Sequence, residues 1–531
     1  MTAKIFVADD VSESGLGPLR SAGFSVEKRP GLALAELQTA LKDCEGLIVR
    51  SETKVTADLL DAANSLRVIG RAGVGVDNID VTAATIRGVV VMNAPDGNTI
   101  TTAEHTIAML IALARSIPQA SSSLKSGRWD RKKFVGVELQ GKTLGIVGLG
   151  RIGRVVASRA RAMDMQIVAY DPFIAPEQAR DLEIELAPLD EVYARADFLT
   201  VHTPLTAETR GLVDREAISK MKKGARIINC ARGGLVDEDA LYEAISRGDI
   251  AGAALDVFSE EPPPSDHKLL QLDQVIVTPH LGASTKEAQE GVAFTVAEQM
   301  RDYLLTGVLR GAVNVPAIGI KEFNLVQPYV KLAESLGRLQ AQLIDKAVSE
   351  VRIEFAGEIV DMDAAPVTRA FLAGLLRDVS ARVNVVNAFL IAEERGIKVT
   401  TTYVRTGGDM APAIRTEIST GQSTQSLAGT LFGYGGQRRE GRITEIDGFH
   451  LEATPHGHML VTRNHDVPGV IGGIGTILGK GGVNISHFHL GRRERGGEAM
   501  AVIEIDAPLS KETLQSLRSL EQVISAQPID L

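Results

Sequence analysis

From Lys4 onward, short runs rich in strand-forming residues alternate with stretches of helical pattern: KIFVADD, SGLGPLRSAG, GLIVRS, ADLLDAANS and RVIGRAG. That rhythm predicts a parallel sheet with helices on its faces. A second alternating block begins at TLGIVGLGRIG and continues through QIVAYDP, ADFLTVHTP, ARIINCARGG, AGAALDVF and QVIVTPH. Gly, Pro, Asp or Arg stands at or beside the end of each run, and ligands of open α/β sheets gather beyond the carboxyl ends of strands. The segment AEHTIAMLIALARSI between the blocks is strongly helical and suited to linking two lobes. After VNVPAIG the pattern weakens, and residues 320–450 mix helix and strand around a Gly, Ser and Thr-rich stretch from Ser419 to Gly436. The last part reads strand (HMLVTRN), helix (VIGGIGTILGK), strand (VNISHFHL), strand (AMAVIEID), helix (SKETLQSLRSL) and strand (QVISAQPI). That order, βαββαβ, predicts a small ferredoxin-like unit.

With 531 residues, 44% hydrophobic and 23% charged, the chain has material for about three to four domains. No basic leader precedes an apolar stretch and no run of about 18 uncharged apolar residues occurs, so neither secretion nor membrane spanning is expected. Cys44 and Cys230 lack the spacing of a disulfide framework or a zinc site, which suits a reducing cytoplasm. A net charge of −10 argues against a nucleic-acid surface and leaves small-molecule chemistry as the starting point.

In TLGIVGLGRIGRVVASRARAM an apolar strand meets Gly148, Gly150 and Gly153 and then a helix. Gly148 makes the tight turn, Gly150 admits a pyrophosphate to the backbone and Gly153 lets the helix pack on the strand. Asp171 stands eighteen residues beyond Gly153, at the end of QIVAYDP, placed to accept hydrogen bonds from both ribose hydroxyls and to repel a 2′-phosphate. NAD is therefore the expected cofactor, ahead of NADP. A packing glycine cluster beside a turn Asp would use the same residues, but strand, glycines, helix and acid in register favour the dinucleotide reading.

Three later strand ends carry Arg232 (NCARGG), Glu261 (DVFSEEP) and His280 (TPHLGAST). Taking hydride from a secondary alcohol requires a base for the hydroxyl proton, and a His with its reference pKa of about 6.5 suits that work. Glu261 would orient the imidazole and favour its protonated form, and Arg232 would clamp a substrate carboxylate. Singly, each has a bland alternative as a turn residue, a solvated acid or a strand cap; jointly, after a dinucleotide fingerprint, they point to hydride-transfer chemistry. No metal is expected, because His202, His465, His487 and His489 lack ligand spacing with a carboxylate or cysteine.

GLGRIG, YDP, NCARGGLVDEDAL, AGAALDVFSEEP and TPHLGAST resemble the D-isomer-specific 2-hydroxyacid dehydrogenase family over residues 1–316. RAGVGVDNID, NAPDGNTITTAEHTIAML and WDRKKFVG are similar to the branch whose members oxidise 3-phosphoglycerate in serine biosynthesis. NHDVPGVIGGIGTILGKGGVNI resembles an ACT domain, a regulatory module that binds amino acids, and residues between resemble that branch's intervening domain. The resemblance implies an α/β fold class: two Rossmann-like lobes, an α+β intervening domain and a C-terminal ferredoxin-like ACT domain. The expected division is a discontinuous substrate lobe (1–97 plus 282–316), an NAD-binding domain (98–281), the intervening domain (317–452) and the ACT domain (457–531).

Carried over by position, the resemblance implies NAD contacts at Arg151, Ile152, Asp171, Thr203, Cys230, Ala231, Arg232, His280 and Gly282, with Asp256 near the nicotinamide. It assigns Arg232, Glu261 and His280 the catalytic roles read above, and places substrate contacts at Arg50, Ser51 and Asn98, with the RAGVG loop nearby. A phosphorylated acid is charged at both ends and Arg232 serves one, so Arg50 is assigned the other. Arg131, Lys132 and Lys133 would add positive charge across a dimer interface or form a solvated run. Arg438, Arg439, Arg442 and His450 would form a second anion site or a basic turn. The resemblance also implies a homo-oligomer, dimer or tetramer, and L-serine is the expected effector, held by Asn464, Asp466 and Asn484; an ACT-like unit that only dimerises, or that binds another amino acid, is the alternative. The alternatives are a glycerate or lactate dehydrogenase, which the long C-terminal half disfavours, and an NADH-sensing interaction protein, which would not need an acid–base pair.

Overall fold

The computed structural model describes residues 3–316, 320–380, 382–405, 413–421, 423–433 and 439–531. The first block forms a five-stranded parallel sheet in the order Ser25–Lys28, Lys4–Val7, Gly46–Val49, Val68–Arg71, Val90–Asn93. Every residue of Gly46–Val49 is buried, as expected of a parallel strand covered on both faces. Part of that cover comes from far along the chain. Helix Lys286–Thr306, capped by the Thr285 hydroxyl on the Ala288 amide, lays Val292, Val296 and Met300 into this core. Gly70 makes the close approach feasible, since a Cβ there would stand 2.3 Å from Val296 Cγ1.

The second block is a seven-stranded parallel sheet in the order Val275–Val277, Ile250–Leu255, Ala225–Asn229, Phe198–Val201, Thr143–Val147, Gln166–Tyr170, Glu185–Leu186. From Thr143–Val147 the chain proceeds first to one side and then to the other, so a crevice opens between that strand and Phe198–Val201. This is the topological switch point at which such sheets bind ligands. Helix Thr99–Arg115 joins the two sheets and buries Ala103, Met109, Leu110 and Leu113 in the core of the second.

Beyond the lobes, a six-stranded mixed sheet runs Lys398–Val404, Glu350–Ala356, Ile414–Ser419, Thr424–Phe432, Glu440–Ile446, Phe449–Ala453. Helices Ile320–Leu343 and Ala365–Leu375 pack together against it. The C-terminal sheet is antiparallel, in the order Ile485–Arg492, Glu498–Ile505, His458–His465, Val523–Asp530. With helices Val470–Lys480 and Lys511–Arg518 it forms the βαββαβ unit expected from the pattern. Leu460, Ala501 and Ile503 pack under those helices, while Met459, Val461, Met500 and Val502 join the core of the six-stranded sheet. Strand alternation thus gives this unit two apolar faces. The α/β class and four-part architecture follow the sequence reading. Among the described residues no helix is long and apolar enough to cross a membrane.

Candidate active site

Strand Thr143–Val147 leads through Gly148 and Gly150 into helix Arg151–Arg161. Gly148 has φ +98°, and a Cβ on it would lie 2.6 Å from the His202 carbonyl oxygen. A Cβ on Gly153 would lie 2.1 Å from the Gly148 carbonyl oxygen, so the helix starts this close only with glycine there. Gly150 differs: nothing stands within 4 Å of its missing Cβ, and it lines the open cleft beside Arg151 and Ile152. Asp171 accepts the Leu149 amide at 2.7 Å and the Phe173 amide at 2.8 Å, which fixes its carboxylate beside the glycine turn. Arg151 reaches across the cleft to Asp96 at 2.5 Å.

The cleft wall also carries unpartnered polar atoms. His202 Nδ1, Thr203 Oγ1 and Asn98 Oδ1 are buried without a hydrogen-bond partner, and all three residues line the same cavity of about 530 Å³. Buried polar atoms are normally paired, so these three mark a wall that a polar ligand completes. Burial pulls the His202 imidazole down to about 4, leaving it neutral. Cys230 and Ala231 close the wall; burial, reinforced by the charge of Asp256, pushes the Cys230 thiol up to about 12. The glycine cradle, the fixed acid and the orphaned donors and acceptors fit a dinucleotide.

At the other end of the cleft, His280 Nδ1 lies 2.7 Å from Glu261 Oε2. Burial pushes the Glu261 carboxyl up, but the hydrogen bond and charge of His280 outweigh it, and the group ends below the ordinary carboxylate range. With Nδ1 engaged, Nε2 is the ring nitrogen left for a substrate. Arg232 reaches from the second lobe to the first, its Nε 3.2 Å from Asp77 Oδ2 and its Nη1 donating to the Ala231 carbonyl at 2.7 Å. Arg50 is anchored through its amide to Asp9 at 2.5 Å and through Nη1 to the Asp10 carbonyl at 3.2 Å. Arg50, Ser51, Asn98, Arg232, Glu261 and His280 line one cavity of about 710 Å³. Most residues expected from the sequence to hold cofactor and substrate therefore meet in one interlobe cleft; Gly153, Asp171 and Asp256 are not among its lining residues, and Asp171 stands beside the glycine turn.

Two residues there escaped individual notice in the sequence. Arg71, in the RAGVG loop, lines the substrate cavity with a buried, unpartnered Nε. Burial, with Arg232 and Arg50 nearby, pulls its guanidinium down to about 10. Asp77 is the carboxylate that Arg232 now holds. The first and last letters of RAGVGVD are these two residues, but only the lobe-to-lobe approach makes them neighbours of Arg232.

Elsewhere the structure separates residues that were read as partners. Asn464 pairs with Ala499, whereas the Asn484 carbonyl accepts from the Asp506 amide. These two points lie at opposite ends of one sheet, about 20 Å apart at strand rise. Within one chain, then, Asn484 does not complete a pocket with Asn464 and Asp466; it donates to Asp506 at 2.8 Å. Asp466 is held by the Gly496 amide at 3.0 Å and Arg492 at 3.2 Å. In the supposed anion cluster, Arg439 pairs with Glu358, Arg442 with Glu440, and His450 stands 3.8 Å from Glu445; Arg438 lies outside the described residues. Arg131, Lys132 and Lys133 are exposed and none lines the cleft.

Comparison with known proteins matches this geometry. The NAD binding domain model of D-isomer specific 2-hydroxyacid dehydrogenases matches residues 107–282, the D-3-phosphoglycerate dehydrogenase intervening domain residues 325–447 and the ACT domain residues 458–522. The chain is 44% identical to D-3-phosphoglycerate dehydrogenase of Bacillus subtilis over 531 residues, covering 99% of each chain. It is 42% identical to that of Archaeoglobus fulgidus, covering 99% of this chain and all of the other. Among solved structures, the TT0316 protein of Thermus thermophilus superposes with a TM-score of 0.54 at 38% identity, over 58% of this chain and 99% of that one. The chain belongs to the D-3-phosphoglycerate dehydrogenases, within the D-isomer-specific 2-hydroxyacid dehydrogenase family.

Proposed function

We propose that this chain oxidises 3-phospho-D-glycerate to 3-phosphohydroxypyruvate, the first step of phosphorylated serine biosynthesis, with His280 as base, Glu261 as its partner and Arg232 as carboxylate clamp. The observation that carries this reading is the joining in one cleft of a paired His280–Glu261 and three arginines, Arg50, Arg71 and Arg232. NAD, bound along the glycine turn and Asp171, supplies the acceptor for the C2 hydrogen and its electron pair. The hydroxyl proton passes to His280 Nε2, and Glu261 stabilises the imidazolium that forms. Arg232 exchanges Asp77 for the substrate carboxylate and polarises the oxygen at C2. Arg50 and Arg71 face the far end, where a phosphate carries a charge of about −1.5 to −2. An unphosphorylated acid would bring no charge to this end to offset the crowding of Arg71 by Arg232 and Arg50, which Asp77 and Asp9 counter only in part. That argues against glycerate or lactate as the main substrate, and the His280–Glu261 pair argues against a pure sensor.

Purified protein with NAD and 3-phosphoglycerate, D-glycerate or D-lactate, followed at the NADH absorbance, tests the assignment. Turnover confined to the phosphorylated acid is expected; faster turnover of glycerate or lactate would overturn it. We further assign L-serine as the inhibitory effector, bound at the Asn464–Asp466 turn of the ACT domain. Because Asn484 of the same chain lies at the far end of the sheet, the third contact comes from a second copy, which makes the working enzyme a homo-oligomer.

A further inference from the structure

Helix Thr99–Arg115 buries a largely apolar face, yet Thr102 and His105, one turn apart, point polar atoms at the second sheet. The Thr102 hydroxyl donates to the Gly282 carbonyl at 3.0 Å. His105 Nε2 lies 3.1 Å from Thr278 Oγ1 and 3.2 Å from Asp256 Oδ1. The Thr278 hydroxyl itself donates to that same carboxylate oxygen at 2.5 Å. Its oxygen is thus left to accept, and Nε2 is the nitrogen of His105 that carries the proton. His105 is not among the residues lining the cleft.

What this arrangement holds is the backbone that carries His280. The Asp256 side chain is completely buried. Its Oδ1 accepts the Leu281 amide at 2.7 Å, its Oδ2 the Gly282 amide at 2.8 Å, and its main-chain carbonyl the His280 amide at 2.9 Å. One residue thus grips three consecutive amides. The grip has work to do, because His280 sits at φ 54°, a left-handed conformation that costs a side-chain-bearing residue energy. Burial pushes the Asp256 carboxyl up, but the hydrogen bonds from His105, Thr278 and the Leu281 amide outweigh it and keep it below the ordinary range. Removing one donor from so buried a carboxylate leaves it under-satisfied, and it turns toward its remaining partners or takes up a proton. Either response loosens one of the gripped amides.

We propose that His105 is a positioning residue for the reaction: donating Nε2–H to the Asp256–Thr278 pair, it holds the clamp on residues 280–282 that keeps the His280 ring against Glu261 and in the cleft. It touches neither substrate nor cofactor. The role rests on His280 being the base.

The test compares full-length wild type, His105→Leu and His105→Gln, the last keeping an N–H donor near the Nε2 position. His105→Leu is expected to lower kcat by about 10- to 100-fold, the scale of a small misplacement of a reacting group. Its KM for 3-phosphoglycerate should stay close to wild type, its kcat–pH profile should move, and His105→Gln should recover most of the lost kcat. A second readout needs no turnover: the titration of the His280 ring by NMR in cofactor-free protein, assigned by its loss in His280→Gln. It should shift in His105→Leu and return in His105→Gln. Equal impairment of the two variants would reduce His105 to packing, and an unmoved pH profile and ring titration in His105→Leu would overturn the proposal. If His105→Leu does not fold, Thr278→Val removes the bridging oxygen and is expected to give the same two shifts. Wild type that does not oxidise 3-phosphoglycerate would sink the functional assignment, while the ring titrations would still decide the role of His105.

Discussion

At the scale of single residues, chemistry concentrates where charge and burial conflict. Replacing His280 by Gln removes the proposed base from an otherwise intact cleft, and should lower kcat by about 100- to 10,000-fold while NADH still binds. Near-normal turnover would take His280 out of the mechanism. Glu261→Gln should cost less, and the rise of oxidation rate with pH should move to lower pH, because the protonated ring loses the counter-charge now 2.7 Å away. A profile that stays in place would make Glu261 structural. Arg71 makes the sharpest residue-level prediction. Its guanidinium is held near 10 by burial and by Arg232 and Arg50, so a doubly charged anion should relieve it most. Arg71→Ala should raise KM for 3-phosphoglycerate far more than for D-glycerate, and should shrink the rise in Tm that the phosphorylated acid produces by mass action. Identical effects on both acids would place the phosphate elsewhere. Arg232, Glu261 and His280 were legible because each ends a recognisable strand motif; Arg71, Asp77 and His105 were not, because their partners stand on other elements far along the chain.

At the scale of elements, the strand–turn–helix at Thr143–Arg161 offers the phosphate cradle, and the acid at the end of the next strand, Gln166–Tyr170, is expected to set cofactor choice. Asp171 →Ala should weaken NAD more than NADP, since lost ribose hydrogen bonds harm one and lost repulsion helps the other. Equal losses, measured by titration with both reduced cofactors, would refute the assignment. Gly153 is an element-level constraint of another kind: a Cβ 2.1 Å from the Gly148 carbonyl oxygen would push the helix off the strand. Periodicity and glycine spacing announced this unit because both are local. The antiparallel C-terminal sheet shows the opposite case. Its βαββαβ order was plain from the pattern, but register decides which loops share an end, and register placed Asn484 away from Asn464 and Asp466.

At the scale of the whole molecule, the proposed serine regulation would have to cross from the C-terminal sheet to the cleft. The ACT unit shares a core with the six-stranded sheet through Met459, Val461, Met500 and Val502. A chain cut near residue 455 would expose that core, so the cleaner test keeps full length. Calorimetry should show heat for L-serine in the intact protein, reduced in Asp466→Ala, and serine should inhibit the first more than the second. By linkage, inhibition requires tighter serine binding to the less active conformation, typically by about 1–3 kcal/mol. No serine heat in the intact protein, or equal inhibition of both, would remove this turn as the effector site.

The sequence by itself determined the alternation of strands and helices, the dinucleotide turn, the trio at strand ends and the order of the last unit, because each is written within a few neighbouring residues. Tertiary structure alone decided that helix Lys286–Thr306 returns to the first sheet, that Arg232 crosses to Asp77 beside Arg71, and that His105 reaches the clamp beneath His280. Those are contacts between residues about 150 or more apart along the chain, selected by how apolar faces pack and how buried polar groups find partners. Local spacing carries no record of that selection.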